Sequence, residues 1–346
     1  MKGRVVAIDR IAGRGAAALV VDGRLEDLLI DPPEDVPGPG AILRAVVERP
    51  MKGQGGVFVK LPEGKGFLKQ VNGLSPGQAV IVQVTGSAEP GKALPVSTRV
   101  LFRSRHCIVT PGAPGLNIAR GIKDDDIRAE LGEIAAEVMA GADETLGLIV
   151  RSAAAHAAPD EVAEDIADTR ALAEVVLADA TGGPELLVDA PDAALQAWRD
   201  WAEPAPDEVM EGDGAFRDLG VEEMIDAILA PAVDLPGGGS MVIEPTRALI
   251  AVDVNTGADT SPAASLKANI AAARDLPRQL RLRGLGGQVV VDFAPMSKKD
   301  RATLDQVLKA AFRHEAAETS LAGWTPLGNY ELQRRRDRPP LREALA

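Results

Sequence analysis

The chain has 346 residues, enough for two or three domains, and a formal net charge of −13. Proteins that coat nucleic acid are usually basic, so this charge argues against that class while allowing a local basic groove. A single cysteine, Cys107, excludes an internal disulfide framework and a zinc site made of cysteines alone. The sequence has no run of eighteen apolar residues and no signal peptide, so we expect a cytoplasmic protein without a membrane partner.

The N-terminal third is predicted to be β-structure. Strands are expected at 3–9, 16–22 and 28–30, followed by a linker rich in proline and acidic residues at 31–40. Residues 41 to about 100 contain about five short strands separated by glycine turns. This pattern favours a small antiparallel barrel, with the OB-fold as first choice.

Two aromatic residues lie among three lysines in the predicted barrel: Phe58, Phe67, Lys60, Lys65 and Lys69. Such a surface can stack bases and contact phosphates of single-stranded nucleic acid. Alternatively, the two phenylalanines belong to the barrel core and the lysines are ordinary solvated residues. Spacing alone favours this second interpretation.

A predicted strand at 146–150 ends in Arg151 and Ser152, between helices expected near 124–139 and 159–180. An arginine beside a hydroxyl residue at a strand end can receive a phosphate group. More often such an arginine belongs to a surface salt bridge, and the sequence leaves both interpretations open.

The C-terminal third contains an alternating strand and helix pattern after a glycine-rich boundary at 237–240. A further helix is expected from Lys298 to about Glu318, with a last strand or helix near 327–335. The arginine-rich end of the chain is predicted to be a free basic tail, which could also contact a phosphate backbone.

Two apolar strands in this region each end in one aspartate, Asp253 and Asp292, and a helix-forming stretch separates them. This order predicts a parallel crossover unit, with both carboxylates at one edge of the sheet. Asn255 lies on the same face as Asp253. A strand-end aspartate is often only a turn or cap residue. Two such carboxylates side by side favour a divalent cation, and oxygen ligands favour Mg²⁺, with Mn²⁺ possible.

The stretch from 235 to 293 resembles the ribonuclease E/G family in the order and spacing of five segments. These segments are LPGGGS (235–240), ALIAVDVN (248–255), ANIAAA (268–273), RQLRLRGLGG (278–287) and VVVDF (289–293). Weaker similarity extends to the barrel, to residues 147–152 and to residues 22–29.

The resemblance implies a multidomain α+β and α/β architecture. A discontinuous ribonuclease-H-like domain would comprise 1–38 and 183–230. An OB-fold (S1-type) RNA-binding domain at 39–103 and a 5′-sensor-like region at 104–182 would be inserted into it. A DNase-I-like catalytic domain would occupy 231–346.

The resemblance also implies roles for individual residues. Asp253 and Asp292 match the metal-binding aspartates of the family, and Asn255 matches the asparagine that orients them. Phe58 and Phe67 match positions that contact single-stranded RNA. The match to the pocket for an RNA 5′-phosphate comprises Arg151, Ser152 in place of threonine, and Ile118.

The sequence departs from the family pattern at several places. Pro295 replaces a second acidic residue, and the segment from Glu315 lacks an arginine that supports 5′-phosphate binding. The chain ends at Ala346, before the family's paired-cysteine motif, so we expect no zinc, no zinc-linked tetramer, and a monomer or weak dimer.

The leading hypothesis is a magnesium-dependent endoribonuclease acting on single-stranded RNA. The alternatives are a non-catalytic RNA-binding protein on the same scaffold and a phosphoesterase with another substrate. RNA binding at a net charge of −13 requires a concentrated positive groove, for which Arg278 and Arg281 are candidate contributors.

Overall fold

The structure is a computed structural model that describes residues 2–48, 55–69, 73–88 and 91–346. Within these residues the protein is a mixed α+β structure whose strands form four sheets. No helix in this part of the chain is long and apolar enough to cross a membrane.

The first sheet begins with an antiparallel meander of three strands: β1 (Arg4–Ile11), β2 (Arg14–Val21) and β3 (Arg24–Ile30). Two-residue turns join them. Both residues of each turn have positive φ, 48° and 77° at Ala12 and Gly13, and 50° and 79° at Asp22 and Gly23. Such turns match the right-handed twist of the strands they connect, which fixes the register of the meander.

The second sheet closes into a five-stranded barrel, as the sequence predicts. Its strands are β4 (Ile42–Val47), β5 (Gly56–Lys60), β6 (Lys65–Lys69), β7 (Ala79–Val84) and β8 (Leu94–Ser97). The order is β4-β5-β6-β8-β7, and pairing of β7 with β4 completes the closure. Alternate residues such as Val59 and Leu68 fill the interior, and this closed barrel is OB-like.

The third sheet carries two helices on one side. Its elements are β9 (Phe102–Arg103), β10 (Cys107–Pro111), β11 (Gly115–Ile118), α1 (Asp125–Val138), β12 (Leu146–Val150), a 3₁₀-helix (Ser152–His156) and α2 (Pro159–Ala178). Both predicted helices are present. Leu131 of α1 and Ile166 of α2 pack with Leu148 of β12 in one core. The side chain of Asp124 caps α1 by accepting from two backbone N–H groups.

The chain then returns to the first sheet through β13 (Glu185–Val188), α3 (Ala193–Asp200), β14 (Glu208–Glu211), α4 (Ala215–Asp218) and α5 (Val221–Leu229). Strand β13 pairs with β4 of the barrel, whereas β14 pairs in parallel with β1. Trp201, after α3, packs against Leu19 and Leu29. The two sheets are thus joined by a segment that contributes a strand to each.

The fourth sheet contains the strands that end in aspartate. Its elements are β15 (Ala232–Leu235), β16 (Gly239–Pro245), β17 (Ile250–Asn255), α6 (Pro262–Leu282), β18 (Gly287–Asp292), α7 (Lys298–Phe312), β19 (Thr319–Trp324), β20 (Tyr330–Arg334) and α8 (Leu341–Ala344). The order is β15-β16-β17-β18-β20-β19. Helices α6 and α7 cover one face, where Leu276 and Leu304 meet Val252 and Val289.

One predicted helix is shorter than expected. Helix α7 ends at Phe312 instead of continuing to about Glu318, and β19 follows as an edge strand paired with β20. Residues 319–324, which lie beyond the predicted helix, gain backbone hydrogen bonds from this pairing. The segment near 327–335 is a strand.

The prediction of a free basic tail is wrong in this structure. Arg334 is 1% exposed and binds Glu315 Oε2 at 2.9 Å. Arg338 contacts Asp27 of β3, with its Nη1 2.5 Å from Oδ1 and its Nη2 3.2 Å from Oδ2. Although burial opposes the charged forms, this pairing raises the pKa of Arg338 and lowers the pKa of Asp27. The C-terminal segment is therefore fixed against the first sheet.

We expect Arg338→Met to lower the free energy of unfolding by about 3 kcal/mol, because it leaves the buried Asp27 carboxylate without its main partner. Urea denaturation measures this loss. The folded-state pKa of Asp27 is lowered, so the pair stabilises the fold fully at pH values above the unfolded pKa of about 3.9. This contribution to the free energy of unfolding is lost as the pH falls through the folded-state pKa.

The matched control is Arg313→Met at an exposed arginine beyond α7, which should change the stability by less than about 0.5 kcal/mol. Equal stability of the Arg338 and Arg313 variants at neutral pH would contradict the assigned role of the Asp27–Arg338 pair.

Candidate active site

The two predicted aspartates lie side by side at the end of neighbouring strands. Strands β17 and β18 pair in parallel, and their register places Asp253 opposite Asp292. Neighbouring strands are about 4.8 Å apart, which brings both carboxylates within reach of one small ligand. Val252 and Val291 point to the helix-covered face and are buried, whereas both aspartates are exposed on the open face.

Asn255 shares that open face and contacts one of the carboxylates. Its Nδ2 donates a hydrogen bond to Asp253 Oδ2 at 2.7 Å. This bond fixes the orientation of the Asp253 side chain and leaves the Asn255 carbonyl oxygen as a further acceptor. The asparagine therefore lies where the sequence predicts, oriented toward the aspartate.

A glycine-rich turn makes room for the end of β17. A side chain at Gly239 would meet the backbone carbonyl of Asn255, and one at Gly257 would meet the carbonyl of Gly238. Gly257 also has a φ of +74°, which favours glycine. The segment 237–240 thus packs directly against the backbone that carries Asp253 and Asn255.

A buried asparagine, which the sequence reasoning missed, holds the loop after Asp292. Asn269 of α6 is fully buried, its Nδ2 donates to the Ala294 carbonyl at 2.9 Å, and its Oδ1 accepts from the Ala294 N–H at 2.9 Å. A polar residue on the apolar side of a helix was the available signal. Because Ala294 is two residues from Asp292, this contact positions the end of β18.

Two helices begin at the edge where the aspartate strands end. Helix α6 follows β17 and is capped by Ser261, and α7 follows β18 and is capped by Ser297. Each serine oxygen accepts from a backbone N–H at 3.2 Å. Helix N-termini carry partial positive charge, so both helices make this edge favourable for a phosphate group.

The donor set of the site fits a magnesium ion. Two carboxylates and a side-chain amide oxygen are hard oxygen ligands, and Mg²⁺ commonly uses one or two carboxylates while keeping several waters. The described part of the chain contains no cluster of three or more histidine, cysteine or acidic residues suited to a metal.

The predicted barrel surface has its aromatic residues outside the core. Phe58 and Phe67 lie opposite each other on β5 and β6, with ring centroids 5.2 Å apart. Both are only partly buried, and their neighbours Val57, Val59 and Leu68 fill the interior instead. Lys60 and Lys69 are exposed, and Lys65 forms a 2.9 Å ion pair with Glu48.

Arg151 is engaged within the protein. Its Nη2 lies 3.0 Å from Asp200 Oδ1, and its Nη1 donates to the Ser104 carbonyl at 2.7 Å. Ser152 begins the 3₁₀-helix, and Ile118 pairs with Val150 on the neighbouring strand. The salt-bridge interpretation of Arg151 therefore matches the structure, and its role in binding a 5′-phosphate stays a prediction.

Arg278 and Arg281 lie away from the open face of the fourth sheet. Arg278 donates to the Leu25 carbonyl at 2.8 Å, and Arg281 donates to the Glu26 carbonyl at 2.9 Å and pairs with Glu315. Their side chains are 11% and 18% exposed. As a correction to the sequence-based proposal, these arginines join α6 to β3 and are not presented to an RNA strand.

Comparison with known proteins shows what the chain is related to. The model of the ribonuclease E/G family matches residues 102–214 and 208–337. Ribonuclease E of Nostoc sp. is 30% identical over 86% of this chain and 51% of the relative. Ribonuclease G of Salmonella typhimurium is 30% identical over 78% of this chain and 62% of the relative. Ribonuclease E of Escherichia coli is 27% identical over 81% of this chain and 30% of the relative.

The family model covers the third sheet and the aspartate strands, and the Nostoc relative is matched over most of the chain, so the mixed α+β protein described here belongs to the ribonuclease E/G family. The resemblance noted in the sequence is thereby confirmed. The chain spans about half the length of the Nostoc relative and less than two thirds of the others.

We expect Asn269→Ala to loosen the loop after Asp292, because two buried hydrogen bonds are lost. The free energy of unfolding should fall by about 1–3 kcal/mol, and backbone amides of residues 293–297 should exchange faster by hydrogen–deuterium exchange.

Thr169→Val is the control, because it also removes a buried hydrogen bond. In α2 the Thr169 hydroxyl donates to the Asp165 carbonyl at 2.7 Å. Similar exchange at 293–297 in both variants would show that Asn269 does not position this loop.

Proposed function

We propose that the chain is a magnesium-dependent endoribonuclease that cleaves single-stranded RNA in the cytoplasm. The observation that supports it most is the register of Asp253 and Asp292, with Asn255 bonded to the first. Membership of the ribonuclease E/G family supports RNA as the substrate class, since the relatives carry the names ribonuclease E and ribonuclease G.

Each residue of the site has a role in this proposal. Asp253 and Asp292 would hold the ion, and Asn255 keeps the Asp253 carboxylate in one orientation. The chemistry supplied by bound Mg²⁺ is polarisation of the phosphoryl group and activation of water for in-line attack. The N-termini of α6 and α7 favour binding of the scissile phosphate at the same edge.

The sequence disfavours acid–base catalysis by histidine. The three histidines are His106, His156 and His314, and none lies near either aspartate in sequence. His106 is buried and bonded to Glu161 at 3.0 Å, so it has a structural partner of its own. These observations disfavour proton transfer by a histidine at the site.

The barrel has a separate role in the proposal. The partly exposed Phe58 and Phe67 rings, with exposed Lys60 and Lys69 beside them, form a surface on which bases stack and phosphates are neutralised. Stacking of this kind contributes about 1–3 kcal/mol per base. It would act on affinity for RNA and leave the chemical step unchanged.

The first test is cleavage of a fluorescent A/U-rich single-stranded RNA with magnesium or with EDTA. We expect Asp253→Asn and Asp292→Asn each to reduce magnesium-dependent internal cleavage by at least about a hundredfold, since each removes half of the charge that holds the ion. Mn²⁺ should substitute for Mg²⁺, because it prefers the same ligands.

Asp226→Asn on the exposed side of α5 is the control, because it makes the same charge change in another part of the fold. RNA binding without magnesium-dependent cleavage by the unaltered protein would favour the non-catalytic alternative. Full cleavage by Asp292→Asn would remove that residue from the site.

A second test concerns the barrel. We expect Phe58→Ala and Phe67→Ala to raise the KM for single-stranded RNA by about 5- to 150-fold with little change in kcat, as loss of one stacking contact requires. Leu327→Ala, at a side chain that is 92% exposed, is the control for losing an apolar group. An unchanged KM in both phenylalanine variants would show that this face does not contact RNA.

A further inference from the structure

One arginine near the edge where the aspartate strands end has no partner for its charge. Arg301 is the fourth residue of α7, and its guanidinium carbon lies 4.6 Å from the centroid of the Trp324 ring. Among the residues that the structure describes, this guanidinium forms no hydrogen bond and no ion pair, and its Nε is buried without a partner. A guanidinium stacked on a ring keeps its other N–H groups available in its own plane, so Arg301 can still bind an oxygen ligand.

The ring beneath Arg301 is held from several sides. Trp324 Nε1 donates to Asp305 Oδ1 at 3.0 Å. Its ring centroid lies 5.8 Å from that of Phe293 and 5.2 Å from that of Tyr330. Because Phe293 directly follows Asp292 in the chain, this aromatic group attaches the arginine to the end of β18, on the helix-covered side of the sheet.

The carboxylates beside Arg301 in α7 already have other partners. Asp305 accepts from the indole, and Asp300 accepts from the Ser297 hydroxyl at 2.7 Å. Residues 298–305 carry three basic and two acidic side chains, and the N-terminus of α7 adds partial positive charge. The beginning of α7 therefore favours an anion, in contrast to the aspartate pair on the open face, which favours a cation.

We propose that Arg301, stacked on Trp324, binds a phosphodiester of the RNA strand next to the one that is cleaved. The identity of this ligand rests on the proposed function. A planar guanidinium can donate two N–H groups to the oxygens of one phosphate, and stacking holds that plane in one orientation. Arg301 would fix the path of the strand past the end of β18 without touching the reacting atoms. It is a contact additional to those of the barrel and of the predicted 5′-phosphate pocket.

The first measurement is RNA binding in EDTA, where no cleavage is expected, by fluorescence anisotropy of a labelled A/U-rich single-stranded decamer. We expect Arg301→Gln to weaken binding by about tenfold or more, as loss of a charge-assisted hydrogen bond requires. The slope of log affinity against log salt should become shallower by about 0.7, which corresponds to one lost phosphate contact.

Arg313→Gln is the matched control, because it removes the same charge from an exposed arginine just beyond the other end of α7. Twelve residues of helix separate the two positions by about 18 Å, which exceeds the screening length of about 8 Å at physiological salt. The RNA affinity of this variant should stay within about twofold of that of the unaltered protein.

Two further variants separate the charge of Arg301 from its orientation. Arg301→Lys keeps the charge, so it should retain the salt slope of the unaltered protein while losing part of the affinity. Trp324→Leu removes the ring beneath the guanidinium and should also lower affinity at a retained salt slope. Circular dichroism and thermal unfolding identify any variant that fails to fold. A merely structural role of Arg301 would leave the salt slope unchanged in Arg301→Gln.

Cleavage assays with magnesium distinguish this site from the proposed function. Arg301→Gln should raise the KM for RNA by about the factor seen in binding, with little change in kcat. Binding that depends on Arg301, without cleavage by the unaltered protein, would contradict the proposed function and leave the site. Cleavage by the unaltered protein, with equal RNA affinity and salt slope in the Arg301 and Arg313 variants, would overturn the site and leave the proposed function.

Inorganic phosphate tests the other source of the same ligand chemistry. Thermal stabilisation by phosphate that is abolished in Arg301→Gln, together with unchanged RNA binding, would assign the site to a free anion and overturn its role with RNA. Absence of RNA binding by the unaltered protein in EDTA would also overturn that role. A lower kcat at unchanged KM in Arg301→Gln would contradict the assigned contact with a neighbouring phosphate.

Discussion

The parallel register between β17 and β18 determines the position of every group at the candidate active site. It places Asp253 opposite Asp292 on the open face and turns Val252 and Val291 toward the helices. Because side chains alternate along a strand, a shift of one residue would exchange these sets. Two carboxylates would then be buried without partners, which costs far more than the valines gain. The apolar core beneath the sheet therefore also selects the arrangement of the acidic groups above it.

Helix α6 connects this constraint to the rest of the molecule. Near its first turns, Asn269 holds the loop that follows Asp292. Near its end, Arg278 and Arg281 bind backbone carbonyls of β3. The same helix thus orients the end of β18 and attaches the fourth sheet to the first. Helix α6 is also the crossover between the two aspartate strands, so one helix contacts both the first sheet and the end of β18.

The sequence predicts the parts of this arrangement that depend on local pattern. An apolar strand that ends in aspartate, repeated after a crossover helix, is enough to bring Asp253 and Asp292 together. Partners distant in the chain leave no such pattern. Arg278 binds a carbonyl 253 residues earlier, and nothing near it indicates that contact. For the same reason the sequence indicates no element at residues 319–324, since the stability of β19 comes from pairing with β20.

The arginines of this acidic protein fall into two groups, and the division bears on how it can bind RNA. Arg278, Arg281 and Arg338 are held by carboxylates or carbonyls between structural units, so their charge is already neutralised or fixed. Arg103 and Arg335 line a cleft whose lining also includes carboxylates such as Asp168, Asp200 and Asp337. Screening limits the reach of exposed charges to about 8 Å at physiological salt, so the net charge of −13 does not decide the potential inside that cleft. The positions of the individual guanidinium and carboxylate groups along its lining decide that potential.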